Sequence, residues 1–167
     1  SGKSTLFKLI AGVLYPNAGI ITFRGRISPF LELGVGFQPE LSGYDNIYLY
    51  AAILGLTKRQ IKERFDEIVT FAELERFMDQ KVKNYSTGMQ MRLAFAITSH
   101  VDADILLVDE ALAVGDESFQ RKCLKRIGQL KSESETILLV SHNLELIRAN
   151  CRKIVQLEGG KIKRSDY

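Results

Sequence analysis

Apolar residues along this chain follow three spacings, and each predicts its own element. Unbroken apolar runs at 105–108 and 136–140 read as strands buried on both faces, the pattern of a parallel sheet. Shorter runs at 20–23 and 27–31 flank Arg24-Gly25-Arg26 and predict a hairpin. Helical spacing is clearest at 58–72, where Ile61, Phe65, Ile68 and Val69 fall at i, i+4, i+7 and i+8. It recurs at 118–131, where Phe119, Cys123, Ile127 and Leu130 share one side. Further helices are expected at 3–13, 45–54, 73–78, 144–150, and from Ser86 to about His100. A closing hairpin at 154–157 and 161–163 would turn over Glu158-Gly159-Gly160. No strand signal appears between 41 and 97, so the middle of the chain reads as helices inserted into an α/β fold.

The chemistry sits where these elements begin and end. The strand at 105–108 runs into Asp109 and Glu110. Consecutive residues on a strand face opposite ways, so one acid can hold a metal ion while the other orients a water. Two solvated acids before a turn are the plainer alternative. The chain opens Ser1-Gly2-Lys3-Ser4-Thr5, the last part of the phosphate loop G-x-x-x-x-G-K-[ST]. There Gly2 would let backbone approach phosphate, Lys3 would reach the β- and γ-phosphates, and the Ser4 hydroxyl would meet magnesium. Amides of the helix start, Thr5 included, would face the anion at the positive end of the helix dipole. The loop's first glycine and its feeding strand would precede Ser1, so the chain reads as a fragment cut inside its phosphate site.

Gln38 lies between Gly36 and Pro39 and offers both a donor and an acceptor, although alone it is an ordinary loop amide. Ser86 suits a helix N-cap and Gly88 leaves the helix mouth open, which serves either an anion or a simple cap. His142 follows the strand at 136–140. Neighbouring parallel strands end at one edge, so His142 could sense a γ-phosphate held by the acid strand.

Composition narrows the class. The 167 residues suffice for one domain with a real core, and 46% hydrophobic with 26% charged residues is ordinary for a globular chain. The net charge of +3 is slight, and charges alternate through 58–67 as on a solvated helix face, so no basic block speaks for nucleic acid. No run reaches the roughly 18 apolar residues that span a bilayer, and a start inside the opening motif leads to no expectation of a signal peptide. Cys123 and Cys151 stand apart, which suits a reducing compartment and small packing roles.

Taken in order, Gly-Lys-Ser, a loop Gln, a helical insert, Ser-x-Gly at a helix start, Asp-Glu, Gly115-Asp116 and Ser141-His142 resemble the nucleotide-binding subunit of ABC transporters. The strings LELGVGFQPELSGYDNIYL, VKNYSTGMQMRLAFAI and LLVDEALAVGDESFQRKC are similar to the subfamily that exports cell-surface polysaccharides such as O-antigen and teichoic acid. The resemblance implies a P-loop (RecA-like) parallel core at 1–40 and 101–167, lacking its N-terminal strands, with a helical subdomain at about 41–100. It implies ATP and Mg2+ as cofactors, a homodimer of ATPase subunits, a membrane permease partner, and a place on the cytoplasmic face of the plasma membrane. By that resemblance Asp109 and Gln38 join Ser4 at magnesium, and Glu110 is the catalytic base. His142 is the switch histidine, and Gln38 couples hydrolysis to the permease. Ser86 and Gly88 bind the γ-phosphate held by the other subunit, and Asp116 contacts that subunit.

Departures from the pattern are visible. YSTGM replaces the general signature LSGGQ, putting Thr87 at a glycine and Met89 at the final glutamine, as the exporter subfamily tends to do. Many of these exporters carry His at the position of Gln38. An adenine-stacking aromatic and a C-terminal glycan-binding extension lie outside the sequence. The rival reading is a soluble ABC ATPase working on ribosomes or DNA, which usually brings a second cassette or long heptads. A third is a non-catalytic fragment, since the severed phosphate loop predicts weak ATP binding by these 167 residues alone.

Overall fold

In a computed structural model, the described residues are 2–30, 36–108, 115–132, 136–141 and 144–166. The apolar run Ile105–Val108 (β2) is the middle strand of a three-stranded parallel sheet. Ile27–Phe30 (β1) pairs on one side, with Ile27 opposite Ile105 and Phe30 opposite Val108. Thr136–Leu139 (β3) pairs on the other, with Leu139 opposite Val108. Leu106, Leu107 and Val108 are buried, which explains why this strand shows no polar alternation. All three strands run in the same direction and finish at one edge of the sheet.

The expected hairpin at 20–31 does not form. Residues 20–26 are exposed and carry no strand, and β1 runs parallel to β2 instead. The Asp104 carboxylate accepts the Arg26 amide at 2.7 Å, while the Arg26 carbonyl accepts the amides of Asp104 and Ile105, each at 3.0 Å. This splice commits Ile27 to β2 before any turn can fold it back. Pro29 has no amide hydrogen to donate, and β1 is an edge of the described sheet, where that loss is tolerated.

The helix Lys3–Ile10 (α1) is shorter than its apolar spacing predicts, because Gly12 takes φ +74 and closes it in the left-handed manner of a C-terminal glycine. Among the described residues three α-helices lie between β1 and β2. Gly43–Ile53 (α2) is capped by Ser42, whose side chain accepts the Asp45 amide. Lys58–Ala72 (α3) opens with a reciprocal Thr57–Gln60 capping box. Thr87–Thr98 (α4) is capped by Ser86, whose side chain accepts the Met89 amide. The helix expected at 73–78 shrinks to a 3-10 turn at Glu75–Phe77, and a second such turn lies at Val82–Asn84. Among the described residues of this stretch the only β feature is an isolated bridge between Ser42 and Lys81.

Helix Glu117–Ser132 (α5) connects β2 to β3 and buries Phe119, Cys123 and Leu130. Leu144–Asn150 (α6) follows β3, and Ile154–Glu158 (β4) pairs antiparallel with Lys161–Asp166 (β5) as expected. One continuous core joins α2, α3 and α4 to β2 and α5, with Phe95, Phe119, Ile47 and Ile68 fully enclosed. Among the described residues no helix is long and apolar enough to cross a membrane.

Candidate functional site

The phosphate-loop residues occupy the mouth of α1. Gly2 is the N-cap with φ +90, a conformation that favours glycine, and it brings no capping side chain to the helix end. Its carbonyl accepts the Leu6 amide at 3.0 Å. Lys3 is half-buried, and Ser4 and Thr5 are exposed in the first turn, which holds no acidic residue. An ammonium, two hydroxyls and the positive end of an eight-residue helix form a donor set that suits a phosphate.

Gln38 sits in a loop held from below by a buried amide. Asn46, on α2, is fully enclosed. Its Oδ1 accepts the Gln38 amide at 2.7 Å, and its Nδ2 donates to the carbonyls of Gln38 (3.0 Å), Ser42 (2.9 Å) and Leu41 (3.2 Å). The same loop is stitched to residues 81–83. The amides of Val82 and Lys83 donate to the carbonyls of Leu41 and Pro39, and Lys81 and Lys83 both reach the Glu40 carboxylate. Those two ammonium groups hold the Glu40 carboxyl below its ordinary range. The stitched segment runs through Tyr85, whose amide donates to the Val82 carbonyl, into the Ser86 cap. Thus the backbone that presents Gln38 and the helix start that presents Ser86 are parts of one hydrogen-bonded unit.

Ser86, Gly88 and Asp116 line a single open cleft of about 620 Å³, with Glu73, Leu74, Phe77, Met89, Arg92 and Gly115. Among the described residues a Cβ at Gly88 would meet only the Ser86 hydroxyl, 3.8 Å away. Asp116 directly precedes α5: its Oδ1 accepts the Ser118 hydroxyl at 2.6 Å and the Phe119 amide at 2.9 Å. These bonds, the Ser118 hydroxyl foremost, hold its carboxyl below the usual value. Arg92 donates to Asp116 at 2.7 Å and to Glu73 at 2.9 Å. Lys122 donates to Glu73 at 2.9 Å and is the main reason that carboxyl is also depressed.

The structure therefore gathers Ser86, Gly88 and Asp116 into one cleft. Gly2, Lys3, Ser4, Thr5 and Gln38 are not among its lining residues. Asp109, Glu110 and His142 lie outside the described residues. Asn46, Tyr85, Glu73 and Arg92 support the site without having been singled out by sequence.

The model of the ABC transporter family matches residues 1–113. The chain is 48% identical over 164 residues to the O-antigen export system ATP-binding protein RfbB of Myxococcus xanthus, covering 98% of this chain and 38% of that protein. It is 44% identical over 163 residues to the teichoic acids export ATP-binding protein TagH of Bacillus anthracis, covering 98% of this chain and 30% of that one. The chain thus spans about a third of the length of these curated relatives. Its fold is similar, with a TM-score of 0.79 and 23% identity, to an ATP-binding cassette whose dimeric structure represents a post-hydrolysis state bound to ADP and Pi. That match covers 99% of this chain and 80% of the cassette.

Proposed function

Because the chain belongs to the ABC transporter family, we propose that it is the ATP-hydrolysing part of an exporter of cell-surface polysaccharide, working as a pair of identical subunits against a membrane permease. Residues 1–40 and 101–167 make the nucleotide core in this reading, and about 41–100 the helical subdomain. The observation that carries it is the cleft joining Ser86 and Gly88, at the mouth of α4, to Asp116, with the phosphate loop elsewhere on the same chain. A site whose halves lie apart on one subunit is completed when two subunits face each other.

The roles follow from the residues. Lys3 and the amides opening α1 hold the triphosphate of ATP, and Gly2 lets them approach it. Ser4, Asp109 and Gln38 would hold magnesium, which when bound supplies positive charge to the β- and γ-phosphates. Ser86 and Gly88 of the facing subunit close over the γ-phosphate, and Asp116 meets that subunit beside them. Glu110 accepts a proton from the attacking water, and His142 holds the γ-phosphate oxygens. Closing excludes other water, so positioning and charge supply most of the rate. The loop of Gln38, tied to the Ser86 helix start through residues 81–85, is where the permease senses the nucleotide. The place of work is the cytoplasmic face of the membrane.

The test uses the full-length protein. Glu110→Gln should bind ATP, form a stable dimer in size-exclusion chromatography with light scattering, and turn over at least about a hundredfold more slowly. Wild-type turnover in that variant would remove Glu110 as the base, and an ATP-independent monomer would remove the paired mechanism.

A further inference from the structure

We propose that Arg92 is a positioning residue that fixes the helix mouth at Ser86 and Gly88 against the turn at Asp116, so that both meet the facing subunit in one register. The proposal rests on the paired reading above and adds a part to it. Arg92 lies one helical turn beyond Gly88 on α4. Its side chain is 19% exposed and held on three sides. One terminal nitrogen donates to Glu73, the other to Asp116, and the guanidinium lies 4.7 Å from the centroid of the Phe119 ring. Such a fork, with a flat face to stack, is a geometry a lysine cannot copy.

Two backbone features are shaped around this fork. Gly115 takes φ +74, and a side chain there would come within 3.4 Å of Arg92 Nε and 3.3 Å of Phe119. Glu73 takes φ +60 at the end of α3, a left-handed conformation that costs a residue with a Cβ. There its carboxylate receives both Arg92 and Lys122. The Asp116 end of the bridge is 61% exposed, and an ion pair that open to water contributes little to folding. What it does is hold three elements together: the end of α3, the mouth of α4 and the start of α5. Ser86, Arg92 and Asp116 line the same cleft. Arg92 reaches neither nucleotide nor magnesium in the proposed mechanism, so it acts through the residues it places.

Full-length wild type, Arg92→Ala, Arg92→Lys and Glu73→Gln would be compared by ATP affinity of the monomer and by the ATP concentration that half-saturates dimer formation. Arg92→Ala should leave monomer affinity within a factor of two. It should raise the dimerisation midpoint about tenfold, the coupling expected inside one ion-pair network. Arg92→Lys, keeping one carboxylate partner, should fall between, and Glu73→Gln should shift the midpoint about threefold. A dimerisation midpoint unchanged in Arg92→Ala overturns the proposal. If Arg92→Ala does not fold, Glu73→Gln decides: an unchanged midpoint there overturns it equally. Monomer affinity falling in step with dimerisation would mark a merely structural role and would also overturn it. Wild-type protein that never dimerises with ATP would instead fail the paired reading itself.

Discussion

Replacing Asn46 with alanine should loosen the Gln38 loop while leaving the rest of the fold standing. The side chain is fully enclosed and makes four polar contacts, one accepted and three donated. The three carbonyls it serves do not lose every donor. Gln38 O still receives the Leu41 amide, Leu41 O the Val82 amide, and Ser42 O the amide of residue 46 itself. The loss therefore concentrates on the Gln38 N–H, whose partner among the described residues is Asn46 Oδ1. Two to three bonds at about 1 kcal/mol each put the destabilisation at roughly 2–3 kcal/mol. In a chain of this size that lowers the melting temperature by roughly 5–10 °C. Native-state hydrogen exchange should show the Gln38 amide losing protection while amides in β2 keep theirs. The reasoning is refuted if the variant loses less than about 0.5 kcal/mol and the Gln38 amide exchanges as in wild type.

Two further outcomes follow from buried polar groups. The His100 Nδ1–H donates to the Ala96 carbonyl at 2.7 Å, and burial first, then the Arg126 and Arg64 charges, push its pKa down against Glu67 and that carbonyl. The unfolded chain then binds the proton more readily, so His100 contributes stability above its ordinary value of 6.5 that is lost as pH falls below it. Melting curves from pH 8 to about 5.5 should decline, and His100→Gln should flatten the decline; an identical slope would exclude His100 as the cause. Gly43→Ala should cost about 1–3 kcal/mol, because the new methyl would stand 2.1 Å from the Tyr85 hydroxyl, which donates to the Phe77 carbonyl at 2.7 Å. Adding Tyr85→Phe should recover part of that loss in urea unfolding, and strict additivity of the two changes would show that the hydroxyl is not what the methyl meets.

Much of this arrangement was legible in the sequence where one force dominates. The buried run at 105–108, the apolar stripe of α3 and the Ser86 cap each follow from local pattern, and each formed as expected. The strand at 27–30 was legible as a strand but not as a partner of β2. Its pairing is set by Asp104, 78 residues away from Arg26, and nothing near Arg26 records that contact. The shortened α1 shows Gly12 overriding a continued apolar spacing. At the site, Ser86, Gly88 and Asp116 could be proposed from motif order, but not the Arg92 fork that pairs with Glu73 and Asp116 beside them in one cleft. An arginine within a helix gives no local sign of which carboxylates it will find. The same holds for Asn46, an ordinary polar residue in sequence and the anchor of the Gln38 loop in the fold.

The shared pocket is tested most directly by mixing two full-length variants, Lys3→Ala and Ser86→Arg, and counting nucleotide occluded per dimer. Each variant alone lacks one half of both sites and should occlude none. A mixed dimer joins the intact Lys3 of one subunit to the intact Ser86 of the other and should occlude one ATP. Occlusion by either variant alone, or none in the mixture when wild type occludes two, would contradict the account.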